Sequence, residues 1–357
     1  MRRLKINHKG FLLYKAGLPH FPRNFTRDSI ISAILMKDSK ALKHQLSFCA
    51  SKQGNEKNAY TGEEPGKIFH EFPGVEIHGK STEFSACDTT ALYLIGHEVY
   101  QKLTEDKKLA TKQSKQIEKA CEYIISHLKK DLFAEDPKLS GAKDFALKVT
   151  YWKDSEILRR KNGKPRYPVV YTLAHIQNMR GLKSGAKILS SKRLKEQAEK
   201  MVTALQKLYY PKLKSYCIAI DAHGPIHGAS SDLLHSLFYL DPSDISDEQL
   251  NGIVNSSKEL ETKIGYRTLS PKMAGKVGDQ YHANTVWPFE QAMIYEGARK
   301  FGLTDIQKIC LRIISHLDTA PEKFTIGKEI KKSGCDPQFW TIAAKKYFEA
   351  PKKEFLI

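Results

Sequence analysis

The stretch Lys148-Val-Thr-Tyr-Trp-Lys-Asp-Ser-Glu156 places a carboxylate, Asp154, directly after two aromatic residues. Tyr151 and Trp152 offer a flat apolar wall, and a carboxyl group pressed against an indole is partly desolvated. Desolvation raises the pKa of a carboxyl group toward the range in which it works as a general acid. Taken alone, the stretch fits an ordinary turn better, with a buried Trp and a solvated Asp.

A second carboxylate changes that interpretation. Glu322 lies far downstream in Thr319-Ala-Pro-Glu-Lys-Phe-Thr325, also in a turn before an aromatic-rich helix. Two carboxylates that face each other across a pocket are what glycoside hydrolysis requires. We therefore interpret the rest of the chain as the scaffold that brings Asp154 and Glu322 together.

The composition is that of a globular protein. The chain has 357 residues, of which 41% are hydrophobic and 27% charged, and no change in composition marks a linker. We predict one domain over residues 1–357. No apolar run approaches the length of a membrane span or follows the basic N-terminus as a signal peptide would. The six cysteines are widely separated, which is typical of reduced thiols, so we predict a cytoplasmic protein.

The charge balance points toward polyanions. There are 58 basic and 40 acidic residues, a formal net charge of +18. Such a field favours nucleic acid or an acidic membrane surface. The lysines are scattered in small groups, however, without an Arg-rich stripe or interleaved aromatic residues. We interpret the charge as solvated surface and keep a nucleic-acid binder, with steep salt dependence, as a distant alternative.

Helical patterns dominate the chain, joined alternately by long Gly/Pro-rich loops and by short links. Predicted helices lie at 30–36, 40–53, 88–95, 109–128, 169–182, 190–209, 232–240, 246–254, 285–302, 305–317 and 338–348. Residues 216–220 are typical of a strand, and residues 54–87 form a long loop of the kind that is usually functional. The alternation indicates helical hairpins in a ring, with the functional residues before the helices that follow the long loops.

Nine segments in order carry a family resemblance: Ala16-Gly-Leu-Pro-His-Phe21, Thr26-Arg-Asp-Ser29, Glu64-Pro-Gly-Lys-Ile-Phe-His-Glu71, Cys87-Asp-Thr-Thr-Ala91, Tyr151-Trp-Lys-Asp-Ser155, Ile218-Ala-Ile-Asp221, Tyr281-His-Ala-Asn-Thr-Val-Trp-Pro288, Ala320-Pro-Glu-Lys-Phe324 and Cys335-Asp-Pro-Gln-Phe-Trp340. The chain resembles the amylo-α-1,6-glucosidase (glycogen-debranching) family, which is related to glucoamylases and trehalases. The resemblance implies an all-α (α/α)6 toroid. Residues 1–15 hardly supply a helix, so the first helix is expected to be missing or irregular.

The resemblance also implies roles for the two carboxylates. Asp154 matches the general acid, and Glu322 matches the general base that activates a water on the opposite face of the sugar. This inverting arrangement needs carboxyl groups roughly 6.5–9.5 Å apart. The expected substrate is an oligosaccharide or polysaccharide with α-glucosidic linkages, α-1,6-linked glucose first, and no cofactor or metal is required.

The expected substrate-binding residues are Arg27, Asp28, Glu71, Asp88, Trp152, Lys153, Tyr281, His282, Trp287 and Trp340. A guanidinium and a carboxylate suit sugar hydroxyls, and indoles suit sugar faces. Each has a structural alternative. Arg27 and Asp28 also fit a charged helix cap, Asp88 an N-cap, and each Trp the core. Within the loop at 54–87, we expect His70 and Glu71 to line the site.

Two further patterns offer other functions. Gly74-Val-Glu-Ile-His-Gly-Lys-Ser81 fits the P-loop string of nucleotide hydrolases, but no buried strand precedes it and no helical pattern follows. Asp221, His223 and His227 suggest a metal site, although their spacing is loose. The main alternative is a carbohydrate-binding protein of the same fold without turnover.

Overall fold

A computed structural model describes residues 1–156, 163–351 and 354–357. The predicted helical character is confirmed. The α-helices among these residues are α1 Thr26–Leu35, α2 Ser39–Ser51, α3 Thr89–Thr104, α4 Lys108–Lys112, α5 Ser114–Ser126, α6 Thr172–Ile188, α7 Lys192–Ala204, α8 Asp232–Ser236, α9 Asp247–Ser257, α10 Pro271–Ala274, α11 Pro288–Lys300, α12 Thr304–Leu311 and α13 Phe339–Glu349.

Short strands occupy the connections and pair antiparallel in small sheets. They are β1 Lys5–His8, β2 Phe11–Tyr14, β3 Asn24–Phe25, β4 Glu71–Phe72, β5 Glu76–Ile77, β6 Lys80–Ser81, β7 Leu128–Lys129, β8 Leu132–Phe133, β9 Val170–Tyr171, β10 Tyr209–Tyr210, β11 Ser215–Tyr216, β12 Ala219–Asp221, β13 Gly224–Ile226, β14 Glu261–Thr262, β15 Gly265–Tyr266, β16 Thr285–Val286, β17 Lys323–Ile326 and β18 Ile330–Ser333.

Six helices contact one another in a cycle: α1, α3, α6, α8, α11, α13 and back to α1. All ten residues of α1 and fourteen of the seventeen in α6 are buried. Burial on every side is typical of helices enclosed within a domain. The α3–α6 crossing is close because Gly181 faces Ala91. A Cβ on Gly181 would lie 2.8 Å from the Ala91 Cα.

Amphipathic helices pack outside this cycle. Helix α7, for example, contacts α6 and buries a single stripe made of Leu194, Ala198, Met201 and Ala204. Helices α2, α5, α9 and α12 pack likewise on α1, α6, α8 and α11. Residues 1–15 form the hairpin β1–β2 instead of a helix, with β2 packed against α2.

Several predicted element boundaries are wrong. The helix expected over 109–128 is interrupted at Gln113, whose buried side chain turns inward to accept a hydrogen bond from the Tyr93 hydroxyl at 2.8 Å. The helix expected over 285–302 begins only at Pro288, because Thr285 and Val286 pair with β17. The run at 216–220 is divided between β11 and β12.

The alternative interpretations of two motifs are also decided by the fold. Residues 76–81 form the hairpin β5–β6, so no helix begins at Lys80-Ser81 and the P-loop interpretation is wrong. The Asp221 carboxylate accepts backbone hydrogen bonds from Arg166 and His223. Within the described ranges, no group of three or more His, Cys, Asp or Glu is placed to hold a metal ion.

The cysteines and the apolar content of the helices bear on two further predictions. All six cysteines are buried and free of disulfide bonds, as predicted. Among the described helices, none is both long and apolar enough to cross a bilayer.

Candidate active site

A pocket opens where α1, α11 and α13 begin. Asp154 and Glu322 both line it, although 168 positions separate them in the sequence (322 − 154). The N-terminal ends of helices carry partial positive charge, which favours carboxylates and polar ligands nearby. Arg27, Asp28 and Trp340 lie in the first turns of these helices, and Phe25, Trp287 and Gln338 lie directly before them, whereas Asp154 and Glu322 lie in longer connections.

Asp154 is a carboxylate held apart from bulk water. Its side chain keeps 27% of its surface exposed, facing the pocket that Trp152 also lines. Burial raises the pKa of Asp154 to about 7, and the nearby Arg27 opposes that rise. The direction agrees with the sequence prediction. A carboxyl group with this pKa carries a proton for part of the time at neutral pH, which suits a general acid.

The three residues before Asp154 are anchored by one buried carboxylate, Asp232, at the start of α8. Its Oδ2 accepts from the Tyr151 hydroxyl at 2.8 Å, and its Oδ1 accepts from Trp152 Nε1 at 3.0 Å. Lys153 Nζ lies 3.0 Å from the same Oδ1 and also donates to the Ser230 hydroxyl at 2.7 Å. These bonds satisfy the polar side-chain atoms of Tyr151, Trp152 and Lys153. They hold the backbone that carries Asp154 in a fixed position.

Glu322 lies directly before β17 and is 2% exposed. Its Oε1 accepts a hydrogen bond from the Tyr281 hydroxyl, and its Oε2 accepts from the Cys335 backbone amide at 2.8 Å. Gly334, at φ +78°, is required here because a Cβ on it would lie 2.1 Å from Oε2 of Glu322. These two donors fix the orientation of the carboxylate toward the pocket.

Lys323 adds a cation beside that base. Its Nζ lies 2.8 Å from the centroid of the Tyr281 ring and 5.0 Å from that of Trp287. Burial lowers the pKa of Lys323 to about 8, against the attraction of Glu322. Lys323 therefore lies near Glu322, whereas Arg27 lies beside Asp154.

Arg27 and Asp28 occupy the first turn of α1, and both line the pocket. Arg27 is not a free ligand for sugar. Its Nε and Nη2 bind the two oxygens of Asp88 at 2.8 and 2.9 Å. Asp28 accepts a hydrogen bond from Gln338 Nε2 at 3.1 Å. Burial raises the pKa of Asp28 to about 8, so this side chain presents both a donor and an acceptor near neutral pH.

Aromatic residues form the rest of the wall. His282 and Trp287 stack with ring centroids 5.0 Å apart, and Trp340 stacks on Phe289 at 3.9 Å. Trp152, Trp287 and Trp340 all line the pocket but are 1%, 1% and 5% exposed. They are therefore core residues that contribute a small part of their surface to the site.

Four residues expected to line the site lie behind it. Asp88 is fully buried and, although it precedes α3, binds Arg27 instead of capping the helix. Lys153 is fully buried against Asp232. Glu71 is held by Arg23 Nε at 2.6 Å and by the Thr82 hydroxyl.

His70, the fourth, is 2% exposed, with its Nε2 3.9 Å from Asp154 Oδ2 and 3.5 Å from Arg27 Nη1. Burial lowers its pKa well below the usual value, so it is neutral beside Asp154.

The sequence analysis missed three residues that complete the arrangement. Gln338 lines the pocket, and its Oε1 is buried without a hydrogen-bond partner among the described residues. Its position inside the segment Cys335–Trp340 was a usable signal. Ser155 bonds His282 Nδ1 at 2.8 Å and follows the acid directly. Nothing in the sequence marks Asp232, which looks like an ordinary helix start.

The sequence matches no protein-family model and no curated protein. Solved structures are similar, however. The GH63 mannosylglycerate hydrolase from Thermus thermophilus aligns at TM-score 0.71 and 11% identity, over 96% of this chain and 97% of that one. An uncharacterized conserved protein from the same organism aligns at 0.68 and 12%, over 95% and 96%.

The GH78 family rhamnosidase of Bacillus sp. GL1 aligns at TM-score 0.64 and 12% identity, over 94% of this chain and 32% of that one. Two of these three structures carry glycoside hydrolase names, although neither is an amylo-glucosidase. The chain has the helical fold of these glycoside hydrolases.

Proposed function

We propose that the protein is an inverting exo-glycosidase that hydrolyses α-glucosidic linkages, with Asp154 as general acid and Glu322 as general base. One observation carries the proposal. Two carboxylates from distant parts of the chain line one pocket in contrasting environments: burial raises the pKa of Asp154, whereas Glu322 accepts two hydrogen bonds. Paired carboxyl groups with separated protonation states are the requirement for this reaction.

The reaction follows from these environments. Asp154 donates its proton to the glycosidic oxygen as the bond from that oxygen to the anomeric carbon breaks. Glu322 removes a proton from a water molecule, whose oxygen attacks the anomeric carbon from the opposite face. The products are a sugar of inverted configuration and the free leaving group, with Asp154 ionised and Glu322 protonated until both exchange with water.

The polar groups that remain in the pocket suit a neutral sugar. Asp28, Gln338 and Trp340 offer hydrogen-bonding atoms in the pocket. Gln338 Oε1 and Trp340 Nε1 are buried and have no hydrogen-bond partner among the described residues. Buried polar atoms without partners are costly, so a ligand that pairs them binds well. Arg27 binds Asp88 with Nε and Nη2, so it offers no free bidentate pair of donors to a charged sugar.

The finer assignment rests on the motif resemblance. We propose an oligosaccharide or polysaccharide substrate with α-1,6-linked glucose as the first choice, and a single domain arranged as an (α/α)6 toroid whose first helix is replaced by β1–β2. The expected location is the cytoplasm, and no cofactor is invoked.

A panel of α-linked gluco-oligosaccharides tests the proposal. Wild-type protein should release monosaccharide from at least one member, and a variant that combines Asp154→Asn with Glu322→Gln should not. Binding of the panel by calorimetry without any release, by wild type and variant alike, would instead establish a carbohydrate-binding protein without turnover.

A further inference from the structure

A second cavity, open to solvent, meets the catalytic pocket at Asp154. One wall is the hairpin β5–β6, which contributes Ile77, His78 and Lys80. The opposite wall is residues 144–148. Lys80 Nζ joins the two walls by donating to the Asp144 carbonyl at 2.7 Å. The groove is therefore a built feature that borders the proposed acid.

Asp154 lines both cavities, so its position indicates which part of the substrate each cavity holds. A general acid must reach the oxygen that joins the sugar to its leaving group. With the sugar in the pocket beside Glu322, the leaving group extends along the other side of Asp154, into the groove. This step rests on the proposed function.

The groove carries an excess of positive charge when Asp154 is protonated. Its lysines are Lys80, Lys148 and Lys164, and its other carboxylates are Asp144 and Asp279. Lys164 pairs with Asp144. Within the described part of the chain, Lys148 is exposed and neither it nor Lys80 has a carboxylate at ion-pair distance.

We propose that this groove binds the leaving group and selects one that bears a carboxylate or a phosphate. Such groups are recognised by lysine ammonium groups as point charges. The pocket itself takes a neutral sugar, so the selected substrate is a glycoside whose negative charge lies only on the leaving group. The hairpin β5–β6 thereby becomes a specificity element.

Matched aryl α-glucosides test this directly. The probes are 4-nitrophenyl α-glucoside and derivatives that carry a carboxylate or a phosphate on the ring. Lys148→Met should lower kcat/KM for the charged probes about three- to fivefold, the scale of an exposed ion pair, and leave the neutral probe within twofold. Raising the ionic strength should remove the wild-type preference, because exposed charges are screened.

Lys143→Met is the matched control, since Lys143 is exposed on the same segment but outside the groove lining. It should alter none of the probes. Comparison of the carboxylate probe with the phosphate probe shows which charged group the groove prefers. A preference for either of them over the neutral probe supports the proposed role of the groove. The inference would be overturned if Lys148→Met affected charged and neutral probes equally, or if the wild-type protein preferred the neutral probe. Either result would leave the proposed glycosidase function intact. If wild type cleaves no probe or α-linked oligosaccharide, the proposed function fails and the groove's role fails with it.

Discussion

Nη1 of Arg27 lies 3.6 Å from Oδ2 of Asp154. This separation makes the protonation of the proposed acid a balance between two opposing effects. Burial disfavours the carboxylate, whereas the fixed guanidinium favours it, and the resulting pKa is about 7. Arg27 is itself locked by Asp88, so the balance is built into the fold.

The first prediction concerns pH. Asp154 acts only while protonated, so kcat/KM for a glycoside with a poor leaving group should fall as the pH rises through about 7. A pH series on the wild-type protein measures this limb. Asp154→Asn should abolish the limb in whatever activity remains. Persistence of a limb near pH 7 in that variant would assign the titration to another group.

The second prediction separates the acid from the base. Asp154→Asn should lower kcat for natural glycosides by about 10²–10⁴-fold, the usual contribution of a general acid. It should spare glycosyl fluorides, because fluoride leaves without protonation. The comparison of the two substrate classes by initial rates checks the role. An equal loss on both would show that Asp154 does not act as the acid.

The third prediction concerns the base and its support. Glu322→Gln should slow natural glycosides and glycosyl fluorides alike, because in both cases the water lacks a base. Tyr281→Phe removes one hydrogen bond to the Glu322 carboxylate and should cost about tenfold in kcat, the scale of a bond to a charged group. Kinetics of both variants on both classes check this. A Glu322→Gln variant that keeps its fluoride rate contradicts the assignment.

The fourth prediction concerns Asp232, which holds the three residues before the proposed acid and does not line the pocket. Asp232→Asn should misplace the backbone of residues 151–153 and lower kcat for natural glycosides by about 10²-fold. Glycosyl fluorides should be less affected, since they do not need the acid. The ratio of the two rates is the readout, because a general loss of stability lowers both together.

Glu296→Gln serves as the matched control for Asp232→Asn. Glu296 is also a buried carboxylate, and it accepts from the Tyr347 hydroxyl at 2.6 Å and from Arg299. It lies outside the lining of the catalytic pocket, so its substitution should lower the melting temperature without changing the rate ratio. A shifted ratio in Glu296→Gln would mean that instability alone produces the effect.

Sequence reasoning reached the helical character from local apolar patterns, and it paired the two carboxylates through the family resemblance of their segments. Apolar periodicity predicts α1 and α13 without tertiary information. Asp154 and Glu322 each have an aromatic residue two positions away, Trp152 and Phe324. The structure brings both carboxylates to one pocket, although the hairpin β17–β18 and not a helix follows Glu322 directly.

The residues behind the pocket could not be assigned in this way. Asp88 and Lys153 are expected from the sequence to bind substrate, yet both are buried ion-pair partners of residues 61 and 79 positions away (88 − 27 and 232 − 153). Pairing at such distances leaves no local signal. Residues 74–81 show the converse, since their string fits a phosphate-binding loop although the backbone forms a hairpin.

The stereochemistry of the first product tests the central claim most directly. Wild-type protein should be mixed with an α-glucoside that it cleaves, and the anomeric proton of the released glucose followed by NMR before mutarotation. With Asp154 as acid and Glu322 as base on opposite faces of the sugar, the account predicts β-glucose first. Release of α-glucose first would show a retaining mechanism and contradict it.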